Sequence, residues 1–535
     1  MADPQTIPIT FGPGVIRSST AAGVGAQWHD SHLMRWVLGR MRPITGWETM
    51  DLGPFASPIR ALHIWVDQNS VERLGILCEQ HLYVLEGPDV TGAGDQLRDV
   101  TPTGGIVGPS NTLTTGGYGN APYDTGYYGT PRNPRPDRRR IGEIWRLANW
   151  GEDLLAMASS DGRLLRWIPG PDLPPPARID SGPNLAEVVP NAPIGNRTFI
   201  VTAERHVMLF AMDGNSNQFG WCSQEDIEDW DFANVENTAG FYAVEPSSRI
   251  ICAMAAQYSI IFWTVQGAYV VQYKALPYIY TYSYLGQHTA PLSGMAPVAY
   301  SGTVMWPAAD GFWRFDGSAV QPVVCPVLDW FQETYDEKAT RAYMSGWFNG
   351  ANSELWWCFP KKPVGGEPAA SENDTLIVFN FQEKWWSLGK LRRTCGVPGS
   401  ILGFPLMAST TKIYRHERGH NYPDCPELPW IRSGFFGLED GTIMATTRQI
   451  LVDTDADLDT VSYQLFATKG RYKNAPERTQ LPKLPSARRL NAQGKIDYRI
   501  SGRDFAVKMQ MVAHKPWSFG KGQVVVSPRG KRGAR

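Results

Sequence analysis

The chain is 535 residues long, balances 51 Lys and Arg against 52 Asp and Glu, and is 42% hydrophobic and 12% aromatic with 20 tryptophans. That balance excludes a uniformly basic nucleic-acid binder, the aromatic content excludes a disordered chain, and 53 glycines with 41 prolines break the sequence too often for it to be mostly helical. No apolar run approaches the ~18 residues of a membrane-spanning helix, so no membrane span is expected. The seven scattered cysteines, with no CxxC pair, read as buried thiols of a reducing cytosol.

The opening MADPQTIPITFGPG has neither the basic nor the apolar region of a secretion signal. Residues 1–45 read as an N-terminal arm, in which SHLMRWVLGRM is a short helix or an extended segment. From residue 46 a unit recurs: a strand of small residues, a polar turn, an aliphatic and aromatic strand, then glycine. RLGILCEQHLYVLEG ends it at Gly87, LLAMASSDGRLLRWIPG at Gly170, FIVTAERHVMLFAMDG at Gly214, IICAMAAQYSIIFWTVQG at Gly267 and VMWPAADGFWRFDG at Gly317. Short β runs around DG-type turns are hairpins, because such turns need the positive φ that Gly and Asp tolerate. From Gly170 onward the spacings are 44, 53 and 50 residues, the period of propeller blades of about four strands. ELWWCFP, DTLIVFNFQEKWWSLG and FFGLEDGTI read as more divergent pieces of the same kind. The expected fold is therefore all-β: an irregular β-propeller of about six blades over 46–445, with a β-sandwich as the competing reading.

From Gly87 to Gly170 the interval is 83 residues, well beyond one blade. The surplus is a Gly/Tyr/Asn-rich insertion, 103–140, closed by the basic stretch PRNPRPDRRR. Long insertions in compact domains tend to carry function, so Tyr118, Tyr123, Tyr127, Tyr128, Arg138, Arg139 and Arg140 are the candidate gate or interface residues. Residues 446–535 read as a smaller C-terminal β domain, with alternating Tyr498 and Ile500, then Phe505, Val507 and Met509, and a basic tail.

Three patterns suggest chemistry and are read as structural. His416-Glu417-Arg418-Gly419-His420 matches HExxH, whose zinc chemistry needs both histidines on one helical face; the internal glycine and the prolines of NYPDCPELP oppose a helix there. The alternating Asp453, Asp455, Asp457 and Asp459 lack the glycine and glutamate of a calcium loop. The acidic pairs Glu225/Asp226 and Glu228/Asp229 flank Trp230 and could in principle act on a glycosidic bond. No phosphate-binding loop, dinucleotide fingerprint or nucleophile elbow is present. No catalytic residue, metal or cofactor is expected.

WCSQEDIEDWDFANVENTAGFYAVE at 221–245 and the strand SRIICAMAAQYSIIFWTVQGAYVVQY resemble a stretch common in tail nozzle proteins of short-tailed bacteriophages, also described as tail tubular protein B or DNA-stabilization tail accessory proteins. Further similar segments are Gly46-Trp47 before RALHIW, DVTP at 99–102, GGYGNAPYDTGYYGTPR, FNFQEKWWSLG at 379–389, IYRHERGHN at 413–421 and SGRDFAVKM with KPWSFG. The resemblance implies a propeller with a β-rich platform and a non-enzymatic virion protein made in the bacterial cytoplasm. It further implies a homohexameric ring below the tail adaptor and portal, which passes double-stranded DNA without sequence specificity, helps retain the packaged genome and anchors tail fibers or spikes. From another class, the alternative is a propeller that binds or cleaves host surface glycans.

Overall fold

The computed structural model describes residues 4–18, 21, 23–68, 70–86, 97–109, 142–169, 184–287, 290–365, 372–399, 401, 403–425, 427–438, 442–468, 490–491 and 493–528. It is all-β and propeller-like. Seven four-stranded antiparallel sheets follow one another along the chain. Sheet one comprises Ile59–Val66, Glu72–Cys78, Leu82–Glu86 and Leu97–Asp99; sheet two Trp145–Trp150, Asp153–Ala158, Leu165–Trp167 and Glu187–Val188. Sheet three comprises Thr198–Val201, Val207–Phe210, Gln218–Trp221 and Gly240–Ala243; sheet four Ile250–Ala255, Ile260–Thr264, Ala268–Ala275 and Ile279–Gly286. Sheet five is Val298–Tyr300, Thr303–Ala308, Gly311–Phe315 and Val320–Val323, and sheet six Ser345–Asn349, Glu354–Phe359, Thr375–Asn380 and Trp386–Lys390. Sheet seven takes Cys395–Val397, Leu406–Ala408 and Ile413–His416 from the end of the run and its fourth strand, Trp47–Met50, from the beginning.

The first strands of these sheets neighbour one another in sequence order, and the first strand of sheet seven packs on that of sheet one, so the cycle closes. Each wedge between successive sheets is filled by apolar side chains, which is the hydrophobic reason for the cycle. Leu62, Leu74, Leu406 and Ile413 fill the wedge of sheets seven and one; Trp65, Leu154 and Trp167 that of one and two; Trp263 and Trp306, 4.8 Å apart, that of four and five. All twenty tryptophans are described, and none is exposed: Trp313, Trp330 and Trp430 are half-buried and the others buried. The exposed aromatics among the described residues are instead Tyr258, Tyr273, Tyr278, Tyr284 and Phe241.

Both chain ends build two further sheets. One is seven-stranded, running Met34–Val37, Arg40–Pro43, Phe519–Pro528, Ala445–Thr454, Lys495–Asp497, with Gln5–Ile9 on Phe519–Pro528 and Ser501–Gly502 on Ala445–Thr454. The other is five-stranded, with Trp28–His32, Trp430–Ser433, Asp504–Met511 and Phe436–Gly437 in order and Val461–Thr468 also on Asp504–Met511. Residues 1–45, expected as an arm, are thus integral strands. SHLMRWVLGRM is a hairpin and not a helix, turned at Leu38 and Gly39, both at positive φ (51° and 75°), the backbone of a two-residue type I′ turn. FFGLEDGTI, expected as a repeat piece, contributes Phe436–Gly437 to the five-stranded sheet, so the expected boundary at 446 falls too late.

Candidate functional site

The HExxH segment lies where three bodies meet. His416 ends a strand paired with Trp47 and stacks on that indole at 4.7 Å. Its Nε2 accepts from Arg393 Nε at 3.1 Å, and burial, with the Arg393 and Arg35 charges, holds the ring far below the ordinary imidazole range. Glu417 has left the strand at φ 63°. It receives both Nη groups of Arg35 at 2.7 Å, the amide of Asn349 at 3.0 Å and the hydroxyl of Thr45. Arg35, on a strand of the seven-stranded sheet, also donates to Glu354 of sheet six at 2.8 Å. Fully buried Glu354 accepts from Trp356 Nε1 at 2.9 Å and is pushed up to about 7 by its burial; the Arg35 guanidinium holds Glu417 below the usual carboxylate range against its own burial. One cation therefore ties sheets six and seven to the end-built sheets.

A second knot sits beside it. Buried Arg393 donates to Asp424 at 2.5 Å and lies over the Tyr414 and Trp47 rings at 4.0 and 5.1 Å, while Trp47 Nε1 donates to Asp424 at 2.6 Å. Gly46 admits no side chain, since a Cβ there would stand 2.2 Å from Asn421 O. The motif is thus spent on sealing the strand that closes the cycle. Arg35, Glu354, Arg393 and Asp424 are not among the residues singled out above. The signal for the first two was an isolated charge inside an apolar run, LMRWVLG and ELWWCF, since a charge there must find a partner.

The other candidates separate. Asp455 holds Ser518 Oγ at 2.7 Å, whereas Asp457 and Asp459 face Lys515 at 3.0 and 3.5 Å. Among the described residues no three His, Cys, Asp or Glu side chains converge as a metal set. Asp226, Glu228, Asp229 and Asp231 line a cavity of about 520 Å³, but Asp229 is held by Asn237 at 2.9 Å and Trp230 is buried with its N–H on Ile227 O, so it offers no stacking face. Tyr118, Tyr123, Tyr127, Tyr128, Arg138, Arg139 and Arg140 lie outside the described residues. No helix among the described residues is long and apolar enough to cross a membrane.

The segment leading into sheet two lies across the end of the cycle at which the first strands begin. A Cβ on Gly142 would meet Arg341 O, just before sheet six, at 1.6 Å, Ile144 packs on Gly294 before sheet five, and Trp145 N faces Met295 Sδ at 3.4 Å. Beside this crossing is a cavity of about 1200 Å³ lined by Gly142, Glu245, Arg249, Ile251, Tyr269 and Arg341 among others.

No family model and no curated protein matches the chain. Solved structures with some likeness include Hsv2 of Kluyveromyces lactis, at 8% identity over 63% of this chain and 98% of that one with a TM-score of 0.29. An exported protein of Bacteroides fragilis is similar at 9% identity over 52% and 90%, TM-score 0.29. PorZ of Porphyromonas gingivalis is similar at 10% identity over 76% and 52%, TM-score 0.24.

Proposed function

We propose that the chain is a structural virion protein without enzymatic activity, the distal tail nozzle of a short-tailed bacteriophage. In this reading the seven four-stranded sheets are propeller blades, the two end-built sheets are the platform, and copies close as a homohexamer below the tail adaptor and portal. The ring passes double-stranded DNA during ejection, helps retain it beforehand, and carries fibers or spikes. The observation that carries the reading is where the resembling segments meet. Gly46-Trp47 is hydrogen-bonded to Gly419 and Asn421; Ser387 and Leu388 of FNFQEKWWSLG bond Met34 and Ser31; Phe519 of KPWSFG packs on Trp28 at 6.0 Å. Segments far apart in sequence thus share one framework, as a scaffold requires, and the protease-like motif is part of it.

A conduit in such an assembly runs between copies. The axis of each propeller is crossed at one end by 142–145, whereas a ring of heterologous contacts leaves its own bore. A near-neutral chain suits a passage that should not hold DNA by counterion release. Negative-stain microscopy of the purified chain mixed with portal–adaptor complex tests the proposal. The expected result is an added six-fold ring at the tail tip; absence of that ring, or of this chain from intact particles, overturns it.

A further inference from the structure

The five-stranded sheet is apolar on one face only. Ile431, Tyr463, Leu465, Val507 and Met509 enter the core. By alternation Trp430, Arg432, Gln464, Phe466, Lys508 and Gln510 stand on the opposite face, where all six are half-buried. Lys508 lies over the Trp430 ring at 4.4 Å and Arg432 over Phe466 at 4.7 Å. Around them Arg17 pairs with Asp30 at 3.2 Å and Lys390 with Glu427 at 2.8 Å. Burial lowers the His29 and His32 rings below the ordinary imidazole range, so neither adds charge near pH 7. Arg432 and Lys508 make no ion pair among the described residues, and Arg432 Nε is buried without a hydrogen-bond partner. Four cations thus share two carboxylates on a sheet face studded with aromatic rings.

The complementary charge lies on sheet three. The loop 222–239, between its third and fourth strands, carries Glu225, Asp226, Glu228, Asp229, Asp231 and Glu236 and no Lys or Arg. Arg166 reaches Glu228 at 3.4 Å while holding Asp153 at 2.7 Å; the other five acids pair with no Lys or Arg among the described residues. Backbone N–H groups of Glu228, Asp231, Ala233 and Glu236 donate to the side chains of Asp226, Asp229, Asp231 and Asn234. The loop is therefore shaped in advance, and docking it would order little chain. Val235, 96% exposed, and Phe241, 48% exposed, add apolar surface beside the acids.

The two surfaces cannot meet within one chain. The five-stranded sheet is bonded to sheet six, where Leu388 N donates to Ser31 Oγ and Lys390 N to His32 Nδ1, both at 3.1 Å. Around the cycle, sheet three is separated from sheet six by sheets four and five, and from sheet seven by sheets one and two. Acidic loop and cationic face thus stand on opposite sides of the wheel. Surfaces so placed join one copy to the next head to tail, the heterologous arrangement that closes rings. Opposite charge sets the encounter and its register, while Trp430, Phe466, Val235 and Phe241 supply the apolar contact that such interfaces need.

We propose that the outer face of the five-stranded sheet is the docking surface for the acidic loop of sheet three in a second copy of this chain. This rests on the ring reading, for which it supplies the contact between copies. The test follows assembly of the full-length chain in two settings, by sedimentation velocity in solution and by negative-stain microscopy on portal–adaptor complex. Wild-type association is expected to weaken as salt rises and to fall at least tenfold in the triple variant Glu225→Lys, Glu228→Lys, Glu236→Lys. Mixing that variant with Arg432→Glu, Lys508→Glu should restore it, because the reversed loop then meets a reversed face. Glu225, Glu228 and Glu236 are exposed and their carboxylates hold none of the loop's turns, so the loop variant folds even if the face variant does not. Wild-type assembly of the loop variant, no recovery in a mixture of two folded variants, or a wild-type chain that associates in neither setting overturns the proposal. A six-fold ring added by wild type and loop variant alike would discard this contact and spare the nozzle reading. Loop-dependent association in solution with no ring on the connector would do the reverse.

Discussion

Arg35 carries two carboxylates at once, because Glu354 of sheet six and Glu417, just past the last paired residue of sheet seven, both pair with it. Replacing it by methionine keeps much of the stem volume and leaves both acids buried without a cation. Breaking a buried pair in this way costs about 3–5 kcal/mol. Arg35→Met is therefore expected to lower the unfolding free energy from denaturant titration by that margin, and adding Glu354→Gln and Glu417→Gln to recover part of it. His32 supplies a pH signature. Its Nε2 donates to Glu427 O at 3.0 Å while Nδ1 accepts from Lys390 N at 3.1 Å, and burial draws its pKa down to about 4. The unfolded ring titrates near 6.5, so the unfolded chain binds the extra proton first, and stability falls as pH drops from about 6.5 toward 4, by on the order of 3 kcal/mol for this ring. Glu354, raised to about 7, acts oppositely, favouring the folded chain at low pH and weakening it as pH rises from its unfolded value toward 7. In an NMR titration the His32 ring signals should stay constant from pH 8 to 5; a midpoint near 6.5 would refute the lowered pKa that burial imposes.

At the scale of elements, the hairpins were legible because alternation and DG-type turns are local, and their phase was not. The recurring unit covers the second and third strands in sheets one, two and five but the first and second in sheets three and four. Terminal glycines that mark different strands give uneven spacings and blur the repeat number. Sheet seven was invisible as a unit because three short strands at 395–416 are completed by residues more than 360 positions before the strand they pair with, a pairing no local pattern announces. The Leu38-Gly39 hairpin was missed because leucine is a poor residue for a position with φ 51°. Leu38 is 90% exposed, so Leu38→Asn removes backbone strain without removing packing. It is expected to raise the stability by about 1 kcal/mol, read as a shift in Tm; an unchanged or lower Tm would argue against a strained turn there.

For the whole molecule, the question is whether the wheel of seven sheets and the end-built sheets are separable. Trp36, Trp47, Phe312, Trp357, Trp386 and Phe519 belong to one continuous apolar core that runs from the end-built sheets through sheet six, and the strand Trp386–Lys390 carries backbone bonds from Val15 and Leu33. A shared core predicts one cooperative unfolding transition in calorimetry where two separable domains would give two. The N-terminal 50 residues take part in both bodies, since they supply the closing strand of sheet seven and four strands of the end-built sheets. Removing them bares the backbone edge of Ile413–His416 and the cavity once filled by Trp47, and open edges of this kind pair with other chains. A 51–535 fragment is therefore expected to lose its near-ultraviolet tryptophan dichroism and to elute as aggregate on size exclusion. A fragment that stays monomeric with a Tm within about 2 °C of the full chain, a loss of only about 2 kcal/mol for a body of this size, would mean that the closing strand is an ornament of the wheel and not its latch.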